Sequence, residues 1–166
     1  PACVLEAERE LYEKHNANPM RGLYALSVEA TECYEKARET VRRFIHAASA
    51  KEIVFTRNTT ESVNLVAYSY GFSKLKPGDE ILVGIMEHHS NLLPWQMVSR
   101  RTGAELKFLE CGQDGELTEE QIRKAFTPRT RLAAVTQVSN VFGRENPIKE
   151  IVRIAHEHGT VVVADA

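Results

Sequence analysis

At 166 residues the chain has the length of one domain or slightly more, enough to bury roughly 70% of its unfolded surface. Hydrophobic residues make up 43% and charged residues 27%, and 21 basic against 23 acidic side chains give a net charge of −2. That balance excludes the disordered and membrane-embedded classes and leaves no basic excess to neutralise nucleic-acid phosphates. Cys3, Cys33 and Cys111 are widely spaced and form no CxxC pair, so neither a disulfide framework nor a zinc ribbon is expected, and a reducing cytoplasm is the natural setting. No basic, apolar leader opens the sequence and no stretch approaches ~20 apolar residues, so no membrane partner is expected.

In chain order the pattern predicts two helices first. The second runs from about Val28 to Ala47, with Tyr34, Ala37, Val41, Phe44 and Ile45 at helical spacing and Ser27 as its N-cap. A strand is expected over Glu52–Thr56, a helix over Thr60–Tyr70, a turn at Pro77-Gly78-Asp79, a strand over Glu80–Gly84 and a helix over Asn91–Thr102 closed by Gly103. Strand Glu105–Leu109 follows, and Thr118-Glu119-Glu120-Gln121 is a capping box opening a helix that runs to Phe126. Arg131–Val138 reads as a strand, Pro147 suits the first turn of a helix ending at Gly159, and Val161-Val162-Val163-Ala164-Asp165 reads as a buried strand.

Strands alternating with helices imply crossovers, hence an α/β fold: a three-layer αβα arrangement with a mostly parallel sheet. Residues 1–50 are expected to form a helical arm and residues 51–166 the sheet-bearing domain. The chain stops just after an apolar strand, and truncation is expected there.

Ligands of open α/β sheets bind beyond the carboxyl ends of the strands. The loops that would lie there are polar: Arg57-Asn58-Thr59-Thr60-Glu61, Met86-Glu87-His88-His89-Ser90-Asn91 and Ser139-Asn140-Val141-Phe142-Gly143, with Asp165 ending the last strand. Thr59 and Thr60 stand where a helix begins, so each is read either as a helix cap or as a phosphate ligand beside free amides. Adjacent His88 and His89 on an extended segment would point to opposite sides, one to the rim and one to the packing, and their spacing suits no metal pair. His156 and His158 sit at a helix C-terminus, where imidazolium is favoured, and are read as structural. A carboxylate ending a buried strand, as at Asp165, needs a partner to offset desolvation, and a cationic ligand atom would serve. Neither GxGxxG nor GxxxxGK[ST] occurs, so the phosphate reading has no dinucleotide or P-loop support.

Taken together, Arg57-Asn58-Thr59-Thr60-Glu61-Ser62-Val63-Asn64-Leu65-Val66, Met86-Glu87-His88-His89-Ser90-Asn91-Leu92-Leu93-Pro94-Trp95-Gln96 and Val138-Ser139-Asn140-Val141-Phe142-Gly143 resemble the class V aminotransferase superfamily, and within it the SufS-type cysteine desulfurases. The resemblance implies part of the large domain of a fold-type-I enzyme that uses pyridoxal 5'-phosphate, usually a homodimer. Such an enzyme converts L-cysteine to L-alanine and carries the sulfur as a persulfide towards a sulfur-acceptor protein and iron-sulfur cluster assembly. It implies that Thr59 and Thr60 meet the cofactor phosphate, that His88 stacks on the ring as a catalytic group, that Asn140 bonds the ring hydroxyl and that Asp165 pairs with the ring nitrogen. Arg21-Gly22 resembles a loop at the substrate entrance, with Met20 where relatives often carry His. The family's Schiff-base lysine and persulfide cysteine lie beyond Asp165 in chain order, so these residues alone are expected to be inactive. A selenocysteine lyase or another class V enzyme shares this wall, and a non-catalytic phosphate-binding or interaction module is the alternative of another class.

Overall fold

A computed structural model describes residues 1–166, and the chain divides into two compact units, Pro1–Phe55 and Thr56–Ala166. In the first unit, helix α1 (Ala2–Glu10) runs into a π-helical turn at Leu11–His15, and α2 (Ala25–Phe44) is followed by a 3₁₀ turn at Ala50–Glu52. The predicted cap of α2 is corrected: the N-cap is Tyr24, and Ser27 lies inside the first turn. Ser27 is fully buried, and its hydroxyl donates to the Asn18 carbonyl at 2.7 Å, tying the preceding loop down instead of capping the helix. Arg38 closes the other end of the unit by donating to the carbonyls of Ala50 at 2.7 Å and Ile53 at 3.2 Å.

The predicted strand at Glu52–Thr56 does not form. Residues 53–56 belong to no strand within residues 1–166, with Val54 and Phe55 exposed, and a segment without a neighbouring ladder leaves its backbone to solvent.

In the second unit, α3 (Thr59–Val66) continues through a π-helical turn at Ala67–Gly71 into the short α4 (Phe72–Lys74). Then follow β1 (Glu80–Gly84), a 3₁₀ turn at His89–Asn91, α5 (Leu93–Thr102), β2 (Glu105–Leu109), α6 (Glu119–Ala125), β3 (Thr130–Thr136), α7 (Ile148–Glu157) and β4 (Val161–Asp165). The Thr118/Gln121 capping box is present in both directions. The four strands are all parallel and stand in the order β2-β1-β3-β4. Central β1 is buried throughout, whereas β4, expected to be buried, is half-exposed within residues 1–166.

Alternation along the strands supplies two cores. Ile81, Val83, Leu132 and Ala134 pack with Val63, Trp95 and Val98 on one face. Leu82, Ala133 and Val135 pack with Ile122, Ile151 and Ile154 on the other. Helices therefore cover both faces, α3 and α5 on one and α6 and α7 on the other, which is the three-layer arrangement.

The strand order matters most for function. The crossover after β1 leads to β2 on one side, and the crossover after β3 leads to β4 on the other, so a crevice must open beyond the carboxyl ends of β1 and β3. The amino end is closed by charge instead. Glu80, 1% exposed, pairs with Arg129 at 2.5 Å and accepts from Thr127 at 2.6 Å, and Asp79 meets Arg131 at 3.5 Å.

Ile151 is fully buried in the α7 layer. Ile151→Ala is expected to lower unfolding stability by about 2–5 kcal/mol, measured by urea denaturation of the intact protein.

Candidate functional site

Helix α3 begins at the rim, and its cap decides what the two threonines are free to do. Asn58 is the N-cap, its Oδ1 accepting from the Glu61 amide at 2.9 Å, while Glu61 reaches back to accept from the Arg57 amide at 2.7 Å. The capping reading of Thr59 and Thr60 is thereby overturned. Both are exposed helical residues at the start of α3, and neither hydroxyl has a hydrogen-bond partner within the chain. Two free hydroxyls beside the first amides of a helix are suited to an anion.

The segment after β1 carries the histidines. His88 caps the 3₁₀ turn, with Nδ1 accepting from the Ser90 amide at 3.2 Å and lying 2.8 Å from the Ser90 hydroxyl. An accepting Nδ1 leaves Nε2 as the protonated nitrogen of the neutral ring. The expectation that one histidine packs inward is corrected, because a turn at 89–91 replaces extended chain, and His88 and His89 are both exposed with ring centroids 6.2 Å apart.

Two hollows meet at His88. One, of about 380 Å³, is lined by Thr60, Asn64, His88, His89, Ser90 and the start of α5. The other, of about 460 Å³, is lined by His88, Thr136, Gln137, Val138, Asn140 and Asp165. Thr60 borders the first hollow, Asn140 and Asp165 border the second, and His88 borders both, with Thr59 next to Thr60 in sequence. Arg21 lies exposed on a bend of the first unit.

Asn140 is presented by a turn that Ser139 organises. Buried Ser139 accepts from the Val141 and Phe142 amides at 3.2 Å through its hydroxyl and from the Gly143 amide at 2.7 Å through its carbonyl, leaving Asn140 exposed at the tip. Beneath it, Gly115 adopts φ +80°, and a Cβ there would lie 3.0 Å from the Phe142 ring and 3.3 Å from the Met86 sulfur. Only glycine lets the 112–116 loop pass under both rim segments.

Sequence reasoning missed Glu87. Its half-buried carboxylate accepts from the Thr136 amide at 2.8 Å and from the Asn91 side chain at 2.6 Å, and Asn91 in turn accepts from the Trp95 indole at 3.1 Å. Burial pushes the Glu87 carboxyl up to about 7, and the nearby Asp165 charge adds to the rise while the two hydrogen bonds oppose it. Glutamate in a polar loop reads as a solvated charge, so no local pattern announces it. The structure shows its role in the space kept at Gly84, three residues earlier, where a Cβ would stand 2.2 Å from the Glu87 carboxylate. Glu87 and Asp165 have no basic side chain within ion-pair distance, in contrast to Asp79 and Glu80 at the opposite end of the sheet.

The remaining sequence candidates lie elsewhere. His158 stacks on Phe126 with ring centroids 5.9 Å apart, and Cys3 and Cys33 are exposed in the first unit while Cys111 is half-buried. No helix is long and apolar enough to cross a membrane.

Comparison with known proteins places this rim in context. The Aminotransferase class-V family profile matches residues 1–166. A probable cysteine desulfurase of Halalkalibacterium halodurans is 48% identical over 165 residues, 99% of this chain and 41% of its own length. One from Synechocystis sp. is 48% identical over 166 residues, all of this chain and 40% of its own length. The apo structure of a cysteine desulfurase from Thermococcus onnurineus NA1 superposes with a TM-score of 0.93 at 42% identity, over 100% of this chain and 41% of that one. The chain therefore spans about two fifths of the length of the curated relatives it matches.

The raised Glu87 pKa fixes a pH dependence. Its contribution to stability is fully present below the ordinary carboxyl value of 4.5 and is lost as pH rises through about 7. The stability of the wild type minus that of Glu87→Gln is expected to fall between pH 4.5 and 7 and to level off above, measured by denaturant titration across pH.

Proposed function

The chain belongs to the aminotransferase class-V family, and from that premise we propose that it forms the cofactor wall of a cysteine desulfurase using pyridoxal 5'-phosphate. The observation that carries the reading is the convergence of Thr60, His88, Asn140 and Asp165 on two hollows joined at His88, beyond the strands where the sheet order reverses.

The residues present fit the group. Its phosphate requires donors and positive potential, which the unpaired Thr59 and Thr60 hydroxyls and the α3 amides offer. Its cationic ring nitrogen requires an anion, and Asp165 borders a hollow that no basic side chain neutralises. When bound, the group supplies an electron sink for bonds broken at the α carbon of the substrate. Asp165 holds the proton on the ring nitrogen, His88 covers one face of the ring and excludes water from it, and Asn140 donates to the ring hydroxyl. Arg21 belongs to the substrate entrance in this reading, residues 1–50 to a helical arm and residues 51–166 to the cofactor-binding domain.

In the intact protein, the lysine that binds the cofactor covalently and the cysteine that takes the sulfur follow Asp165 in chain order. L-cysteine is the substrate, L-alanine the product, and the sulfur passes as a persulfide to an acceptor protein for iron-sulfur cluster assembly. The working form is a cytoplasmic homodimer.

The test is release of alanine from L-cysteine by the intact protein supplied with pyridoxal phosphate and a dithiol, which reduces the persulfide and frees its outer sulfur as sulfide, and absence of turnover overturns the reading. Asp165→Asn is expected to lower kcat/KM about 10- to 100-fold, the range that follows from losing a hydrogen bond to a charged group.

A further inference from the structure

At the rim, Glu87 is a half-buried ionisable group that the mechanism above leaves without a task. We propose that Glu87 is a positioning residue of the cofactor wall: by accepting from the Thr136 amide and the Asn91 side chain together, it locks the segment after β1 to the end of β3 and holds His88 in register with Asn140 and Asp165. The inference rests on the reading that pyridoxal phosphate binds this rim.

The ladder between β1 and β3 pairs Val83 with Ala134 and then ends, because the chain turns away after Gly84. The amide of Thr136 would then face the crevice without an acceptor, and an unpaired amide at that depth is costly. The Glu87 carboxylate takes the place of the missing strand carbonyl. On the other side, Thr136 is fixed as well, its carbonyl accepting from the Asn146 side chain at 2.8 Å and the next amide, Gln137, donating to the Asp165 carbonyl at 2.7 Å. Glu87 therefore fastens His88, its immediate neighbour in sequence, to the strand end that also carries Asp165 by backbone pairing.

The donors have a fixed direction. Trp95, fully buried, donates through its indole to Asn91 Oδ1, so the Asn91 amide group must face Glu87 with its N–H side. Position 87 thus needs two acceptor oxygens, which a carboxyl group has and a carboxamide lacks. The space is reserved too, since a Cβ on Gly84 would overlap the carboxylate.

The experiment uses the intact protein and reads the dissociation constant of pyridoxal phosphate and the visible circular dichroism of the bound cofactor. Glu87→Gln is expected to weaken retention about 10-fold, the equivalent of one hydrogen bond to a charged group, and to change the dichroic signal. Gly84→Ala, which leaves the carboxylate but takes its space, is expected to act in the same direction and to speed hydrogen exchange at the Thr136 amide in cofactor-free protein. Glu87→Gln combined with Asn91→Asp reverses the polarity of the chain while keeping every donor paired, and is expected to recover most of the lost affinity. Ile154→Val, in the α7 layer, controls for destabilisation alone. The proposal is overturned when Glu87→Gln weakens retention no more than Ile154→Val, or when the double variant recovers nothing. An unaltered protein that takes up no pyridoxal phosphate overturns the proposed function instead, and this inference with it.

Discussion

β1 and β3 lie side by side, and their crossovers leave in opposite directions. Two right-handed crossovers that diverge from neighbouring strands cannot fill the space between their first turns. Everything at the rim follows from that gap. The segment after β1 brings Glu87 and His88 to one bank, and the turn after β3 brings Asn140 to the other. The β3–β4 ladder sets Asp165 level with Thr136, and α3 adds Thr60 from the side.

The two ends of the same sheet treat acidic residues in opposite ways. At the amino end, Asp79 and Glu80 are buried and matched by Arg131, Arg129 and threonine hydroxyls, which makes them part of the scaffold. At the carboxyl end, Glu87 is held by neutral donors alone, and Asp165 borders an open hollow. Neutral donors offset part of the cost of burying a carboxylate but not the repulsion between two of them, so Glu87 keeps its proton to higher pH. A cationic ligand atom beside Asp165 is the complement this end lacks.

The polar loops after β1 and β3 were legible as a candidate rim because each follows an apolar strand, and strand ends are where an α/β sheet meets its ligand. His88, Asn140 and Asp165 could be named as candidates from that rule, whereas the strand expected to lead to Thr60 does not form. Asn58 as the true cap was open to inspection, since asparagine ranks with the best N-caps, but the adjacent threonines offered the same chemistry one residue on. Val54 and Phe55 have strand propensity yet find no partner within residues 1–166, and propensity cannot supply a ladder. The valines of β4 read as interior, and within residues 1–166, about two fifths of the curated relatives' length, they are half-exposed.

The amino-acid order by itself determined the class of fold, the alternation of strands and helices, the capping box at Thr118 and the polar character of each rim loop, because these depend on interactions within a few residues. Only the tertiary structure decided that the strands stand in the order β2-β1-β3-β4, that His88 joins two hollows and that Glu87 crosses from β1 to the Thr136 amide. Those facts join residues 49 positions apart in the case of Glu87 and Thr136, and no local rule of propensity or spacing carries information over that separation. Packing of the two helix layers against the sheet sets it, by fixing which strand ends become neighbours.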